Sequence, residues 1–141
     1  MFAEALVCLA LNIYHEAKNQ SFVGQMAVAQ VVMNRVQDSR FPHTVCEVVK
    51  QGPTYSWKKD FPVRNRCQFS WHCDGKSDKV RNESAWQTAT LIAKGVLSGN
   101  LDDFVEGATH YHATYVNPSW ASSKTYVTRI DDHKFYRWEM K

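Results

Sequence analysis

The stretch Cys8–Val36, "CLALNIYHEAKNQSFVGQMAVAQVVMNRV", decides how the rest of the chain is read. With Leu6 just before it, Leu9, Ala10 and Ile13 follow the 3, 4, 7 intervals of one helix face, which predicts a helix over Ala3–Lys18. Ser21 is placed to cap a second helix through Val36, with Ala27, Val28, Val31 and Val32 turned inward. Gly24 and the alanines predict that another helix approaches closely. Glu16 breaks the pattern. It lies three residues beyond Ile13 and continues the Leu6–Leu9–Ile13 stripe toward the interior, where an unpaired charge is costly. It also sits near the C-terminal end of its helix, where the backbone dipole opposes negative charge. Both effects favour the protonated acid. A carboxyl held neutral near physiological pH suits a general acid that must protonate a poor leaving group such as a glycosidic oxygen. The alternative is a surface glutamate paired with Lys18 or Arg35.

Beyond this stretch, Phe41-Pro42 ends the helical pattern and "TVCEVVKQ" reads as a short helix or strand. From Gln51 to Ser77, Gly52-Pro53, Phe61-Pro62 and Asp74-Gly75 mark turns, which predicts a loop or small hairpin region. A third long helix is expected from an Asn82 or Ser84 cap to Ser98, closed by Gly99 in the left-handed conformation. "GATHYHATYVNPSW" alternates as a strand does, and "TYVTRIDDHKFYRW" closes the chain. No repeat, linker or low-complexity tract interrupts the 141 residues, so one domain over 1–141 is expected, of the α+β class. A chain of this length buries roughly 70% of its unfolded surface.

Composition narrows the function. Seventeen Lys+Arg against fourteen Asp+Glu give a charge of +3, too mild and too scattered to indicate nucleic acid. The longest apolar run, Ala5–Leu11, falls far short of the roughly 20 residues of a membrane span and lacks the flanks of a signal peptide. Five Trp, six Tyr and seven Phe exceed what a small core needs, and amphipathic rings in a groove commonly hold sugars or bases. Cys8, Cys46, Cys67 and Cys73 permit three full pairings. Cys67 and Cys73 bracket "QFSWH" closely enough for a local clip, which would leave Cys8 with Cys46; four buried reduced thiols are the alternative. Stable bridges would imply a working place outside the reducing cytoplasm.

The strings "CLALNIYHEA", "GQMAVAQVVMNRV", "FPHTVCEVV", "QFSWHCDG", "GATHYHA" and "HKFY" stand in the order found in the SleB-like cell-wall hydrolases, and the chain resembles that family from about Leu6 to Tyr136. The family includes the spore cortex-lytic enzymes. The resemblance implies a lysozyme-like fold, mainly helical with a small irregular β region, and action on peptidoglycan glycan strands. The family's "EARGE" reads "EAKNQ" here, keeping Glu16 while Lys18 and Gln20 replace the other two ionisable positions. By position, Glu16 is implied as the single acid/base that cleaves between N-acetylmuramic acid and N-acetylglucosamine. In a lytic transglycosylase the same group takes a proton from the muramic C6 hydroxyl, which closes on C1 as a 1,6-anhydro end. A hydrolase normally needs a second carboxylate; Glu47, Asp60, Asp74 and Asp78 are available.

Gln68, Phe69 and Ser70 match a family segment, so Gln68 is expected to hydrogen-bond an acetamido group or hydroxyl with Ser70 steadying it. Trp71 is a candidate stacking face. His112, Asn117, Trp120 and Tyr126 are further substrate-binding candidates. Tyr111 resembles the tyrosine that lytic transglycosylases set beside their acid. Alternation along a strand sends Tyr111 to one face and His110 and His112 to the other, so only one set can meet Glu16. Tyr111 is expected there, because an imidazolium would lower the acid's pKa.

Two other classes remain open. His110 and His112 with His133, or with His72 and a free cysteine, could form a zinc site and make the chain a peptidoglycan amidase or peptidase. The aromatic residues could instead serve a non-catalytic glycan-binding module. The glycan-cleaving reading needs no metal and no cofactor, and its expected partner is the glycan strand, met by a monomer with no stable membrane insertion. The lack of a signal peptide and of a separate wall-binding domain suits a small phage endolysin, held in the host cytoplasm until released through a holin pore to the wall or periplasm.

Overall fold

The computed structural model describes residues 2–99 and 101–140. Helix α1, Phe2–Ala17, buries Leu9 and Ile13 completely, with Ala10, Tyr14 and Ala17 beside them. The chain turns through a bond from the Gln20 N–H to the Ala17 carbonyl, and Ser21 then caps α2, Phe22–Gln37, by accepting from the Gly24 N–H. Helix α2 is interior on two sides. Ala29 and Val32 pack with α1 and the later helices, whereas Ala27, Val28 and Val31 pack against the sheet. Small and β-branched side chains all round therefore suit it better than one apolar stripe.

Helix α3, Val45–Val49, is capped by Thr44 and tied to α1 by the Cys8–Cys46 disulfide, with Cα atoms 5.3 Å apart. A small exposed hairpin follows, β1 (Thr54–Tyr55) with β2 (Lys58–Pro62). Cys67 and Cys73 are also bridged, closing a loop around a 3-10 turn at Ser70–His72. Helix α4, Glu83–Leu97, takes Asn82 as its cap and ends at Gly99, whose φ of +75° is a conformation that glycine adopts freely. Three antiparallel strands complete the chain: β3 (His110–Ala113), β4 (Thr125–Ile130) and β5 (His133–Arg137), with β5 in the middle.

Two local expectations need correction. Gly24 makes room for a turn, not for a helix. A Cβ there would stand 2.5 Å from the Asp131 carboxylate, which accepts bonds from the Ser21 N–H (2.8 Å) and hydroxyl (2.6 Å). The β4–β5 turn thus sits on the positive end of α2. Trp71, a candidate stacking face for substrate, is buried at 8% exposure. Its indole N–H donates to the Asn12 side-chain carbonyl at 2.9 Å, and its ring stacks on His15 at 4.6 Å. A large ring with a single donor finds its partner inside the domain.

Candidate active site: an acid held by a tyrosine

Glu16 emerges in the last turn of α1, at the floor of a cleft of about 310 Å³. His15, Gln20, Tyr115, Asp132 and His133 also line this space. Larger grooves, of about 500 and 630 Å³, lie elsewhere, but the half-buried Glu16 is in neither. The Tyr111 hydroxyl donates to Glu16 Oε1 at 2.5 Å. Oε2 has no hydrogen-bond partner among the described residues. When Glu16 is protonated, its proton therefore belongs on Oε2, with Oε1 accepting from the phenol.

The sheet delivers Tyr111 to that position. Tyr111 pairs with Phe135 across β3 and β5, and directly opposed residues share a face. Phe135, fully buried, and Phe69, at 6.5 Å between ring centres, fix the phenol ring, while His133 meets it edge-on at 5.0 Å. Behind the pair lies Arg35 of α2, only 5% exposed. Its Nε–H donates to the Thr109 carbonyl at 2.7 Å, and its guanidinium lies 4.9 Å from the Phe41 ring centre and 5.1 Å from that of Phe69.

These surroundings set the protonation states. Burial raises the Glu16 pKa above the ordinary carboxyl value, opposed by the Tyr111 hydrogen bond and then by the Arg35 charge. Burial also pushes the Tyr111 hydroxyl well above its usual range, reinforced by the neighbouring carboxylate. The phenol is a neutral donor. Burial brings Arg35 down to about 10, still a cation at neutral pH. It lowers the pKa of His133 too, so that ring is neutral beside the cleft, and its Nδ1 is buried without a partner.

A family model described as Cell Wall Hydrolase matches residues 19–136. The chain belongs to this cell wall hydrolase family. Among curated relatives, a spore cortex-lytic enzyme of Bacillus cereus is 42% identical over 123 residues, which is 86% of this chain and 38% of the relative. One from Halalkalibacterium halodurans is 30% identical over 128 residues, 90% of this chain and 33% of the relative. The chain thus spans about a third of the length of the curated relatives it matches. Among solved structures, the catalytic domain of the germination-specific lytic transglycosylase SleB from Bacillus anthracis superposes with a TM-score of 0.68 at 25% identity. That match covers 94% of this chain and 93% of the other. The fold, α+β with four helices and small sheets, is the fold of these catalytic domains.

The family's ordered motifs do not all converge on the cleft. Gln68 and Ser70 are exposed on either side of buried Phe69, and no hydrogen bond joins them among the described residues. Their link to Glu16 runs through Phe69 and Tyr111. His112, Trp120 and Tyr126 fall on the opposite face of the sheet. There His112 Nε2 shares a 2.8 Å hydrogen bond with the Tyr136 hydroxyl, and Trp120 and Tyr126 each meet Tyr136 edge-on at 5.3 and 5.6 Å. The strand pairing explains this: His110, Tyr136 and Tyr126 oppose one another across the sheet, with His112 two residues along. Asn117 is exposed in the irregular segment that follows β3 and its turn, outside the cleft lining.

The alternation also separates His110 and His112 from His133, and every cysteine is bridged, so neither proposed zinc set is assembled. No cluster of three metal-ligating side chains occurs among the described residues. Of the carboxylates considered as a second catalytic group, Glu47 and Asp60 line a different groove, and neither Asp74 nor Asp78 lines the cleft. The carboxylate that does is Asp132, braced by Gln20: its backbone N–H donates to the Gln20 side chain at 3.1 Å. Its position within the β4–β5 turn carries no sequence signal of a partnership with Glu16. Among the described residues no helix is long and apolar enough to cross a membrane.

Proposed function

We propose that this chain cleaves peptidoglycan glycan strands between N-acetylmuramic acid and N-acetylglucosamine as a lytic transglycosylase, with Glu16 as sole acid/base. One observation carries the reading: a carboxyl that burial holds toward its protonated form, oriented by a neutral tyrosine, at the floor of a cleft. The lytic transglycosylase identity of the similar Bacillus anthracis domain supports it.

Glu16 gives its Oε2 proton to the glycosidic oxygen as the C1–O bond breaks, leaving positive charge on the muramic ring. The Glu16 carboxylate, still accepting from Tyr111, then removes the proton of the C6 hydroxyl, and that oxygen bonds to C1. Protons balance, no water is consumed, and the enzyme returns to its starting state. Tyr111 orients the acid throughout, and its hydrogen bond is strongest while Glu16 is charged. The neutral imidazole of His133 can hold a sugar hydroxyl beside the acid. This catalytic domain works at the bacterial cell wall, on the glycan strand, as a monomer.

Asp132 favours one second reading, hydrolysis. Were it to activate a water against C1, the product would carry a reducing muramic end. Mass spectrometry of digested sacculi distinguishes the two, because the anhydro end is lighter by one water. Anhydro ends support transglycosylation; reducing muramic ends would replace it with hydrolysis; cut stem peptides would overturn both.

A further inference from the structure

Arg35 is a buried cation without a matched anion. The ion pairs among the described residues are Arg40–Asp38 and Arg137–Glu139, and no carboxylate lies within salt-bridge distance of Arg35. One of its donors is used by the Thr109 carbonyl, while Nη1 is buried with no partner. Keeping a guanidinium this dry is costly unless some charge answers it. Phe69 packs on both Arg35, at 5.1 Å, and Tyr111, at 6.5 Å, and Tyr111 bonds Glu16, the group whose negative charge favours the charged form of Arg35.

We propose that Arg35 is a positioning residue for the acid, a fixed positive charge behind Glu16 that steadies the carboxylate once its proton has gone to the leaving group. This rests on the reading of Glu16 as the acid/base. Arg35 does not line the cleft and touches no substrate; it acts through Glu16. Transglycosylation asks one carboxyl to be an acid and then a base. Burial alone would make Glu16 a reluctant acid that holds its proton. A cation held by Thr109 and two aromatic rings opposes that burial without moving during the reaction, as preorganised charge does. The aromatic faces favour a guanidinium, with its delocalised charge, over a compact ammonium.

The other charged or titratable groups around the pair do not supply this effect. Tyr111 is a neutral phenol, and His133 is kept neutral by burial. His110, beside Arg35 on β3, is brought down to about 4 by burial and then by the charges of Arg35, Lys124 and Arg40, with Asp38 opposing. Asp132 and Lys18 stand at the cleft rim with opposite charges.

The test is carboxyl ¹³C NMR of glutamate-labelled protein, with the Glu16 signal assigned by its loss in Glu16→Gln. In Arg35→Met the Glu16 midpoint should rise by roughly one unit, the low end of what a nearby opposite charge does to a carboxyl. The alkaline limb of kcat/KM should move up with it, kcat should fall by up to about tenfold, and KM should change little. Arg35→Lys, which keeps a charge, should restore most of the midpoint. Should Arg35→Met not fold, the wild-type Arg35 Nε resonance serves: it should shift with the Glu16 midpoint, and this step should vanish in Glu16→Gln. An unchanged midpoint in folded Arg35→Met, or no such step in the wild type, overturns the proposal. Full cleavage by Glu16→Gln would instead overturn the acid/base reading itself, whatever Arg35 does.

Discussion

Asp131 and Ser21 stand 110 residues apart in sequence and share two hydrogen bonds, from the serine N–H and from its hydroxyl to one carboxylate oxygen. The contact binds the β4–β5 turn to the start of α2. The next residue, Asp132, lines the cleft and is held by Gln20, which lies one residue before Ser21. One turn thus both closes a helix end and builds a cleft wall.

This pairing predicts a coupled effect of two substitutions. Asp131→Ala should destabilise the fold by about 1 kcal/mol, the usual scale for a lost N-terminal cap interaction. Gly24→Ala in the wild type should also destabilise it, because the added methyl would meet the Asp131 carboxylate. In an Asp131→Ala background the same Gly24→Ala change should cost less, because only the 3.0 Å approach to the Gln20 Cβ remains against the gain in helix propensity. Urea denaturation of the four proteins measures the cycle. Additive losses would show that the turn does not press on Gly24.

Glu16 should make the fold less stable as pH rises. Its folded-state pKa is raised, so the native state holds the proton more tightly than the unfolded chain. Stability from this group is complete below the ordinary carboxyl pKa and is lost as pH climbs through the raised folded value. Glu16→Gln removes that dependence and should raise the melting temperature at neutral pH relative to wild type. Thermal melts between pH 4 and 8 check it, and parallel curves for the two proteins would contradict it.

The Cys67–Cys73 bridge should matter to the site as well as to stability. A loop this short contributes about 2 kcal/mol by restricting the unfolded chain. It also carries Phe69, which packs on Tyr111 and Arg35, and Trp71, which bonds Asn12 of α1. The double Cys67→Ser, Cys73→Ser variant should lose both that stability and part of its turnover at temperatures where it remains folded. Unchanged turnover in the folded variant would make the bridge purely structural.

Substitutions on the two sheet faces should separate cleanly. Tyr111→Phe removes the donor to Glu16 and should cut turnover by about tenfold or more, with little loss of stability, since the ring packing survives. His112→Ala breaks a hydrogen bond and a ring stack on the far face and should cost stability instead. Activity and melting temperature measured together test the pair. Loss of turnover in His112→Ala alone would place the chemistry on the wrong face.

Much of this organisation was legible in local signals. The caps Ser21 and Asn82, the Gly99 stop and the spacing that turns Glu16 inward all depend on residues a few positions apart. Strand alternation gave the choice between Tyr111 and its flanking histidines. What escaped depends on partners distant in sequence. Trp71 looks like any exposed ring until Asn12 meets its N–H. Gly24 looks like a helix-packing glycine until the Asp131 turn covers it. His112, Trp120 and Tyr126 resemble a sugar platform because aromatic residues cluster there in sequence, yet β5 passes through the middle of the sheet and Tyr136 draws them into a separate stack. Arg35 enters the sequence reading only as a surface partner for Glu16; its buried seat against the Phe41 and Phe69 rings depends on residues distant in sequence.

The most direct measurement is the rate at which purified Glu16→Gln releases soluble fragments from peptidoglycan sacculi, compared with wild type at equal folded concentration. General acid–base participation is worth roughly 10²–10⁴-fold, and here one carboxyl serves both steps. The rate should therefore fall by at least about a hundredfold, the low end of that range, while the circular dichroism spectrum stays unchanged. A folded Glu16→Gln that releases fragments at near the wild-type rate would contradict the account.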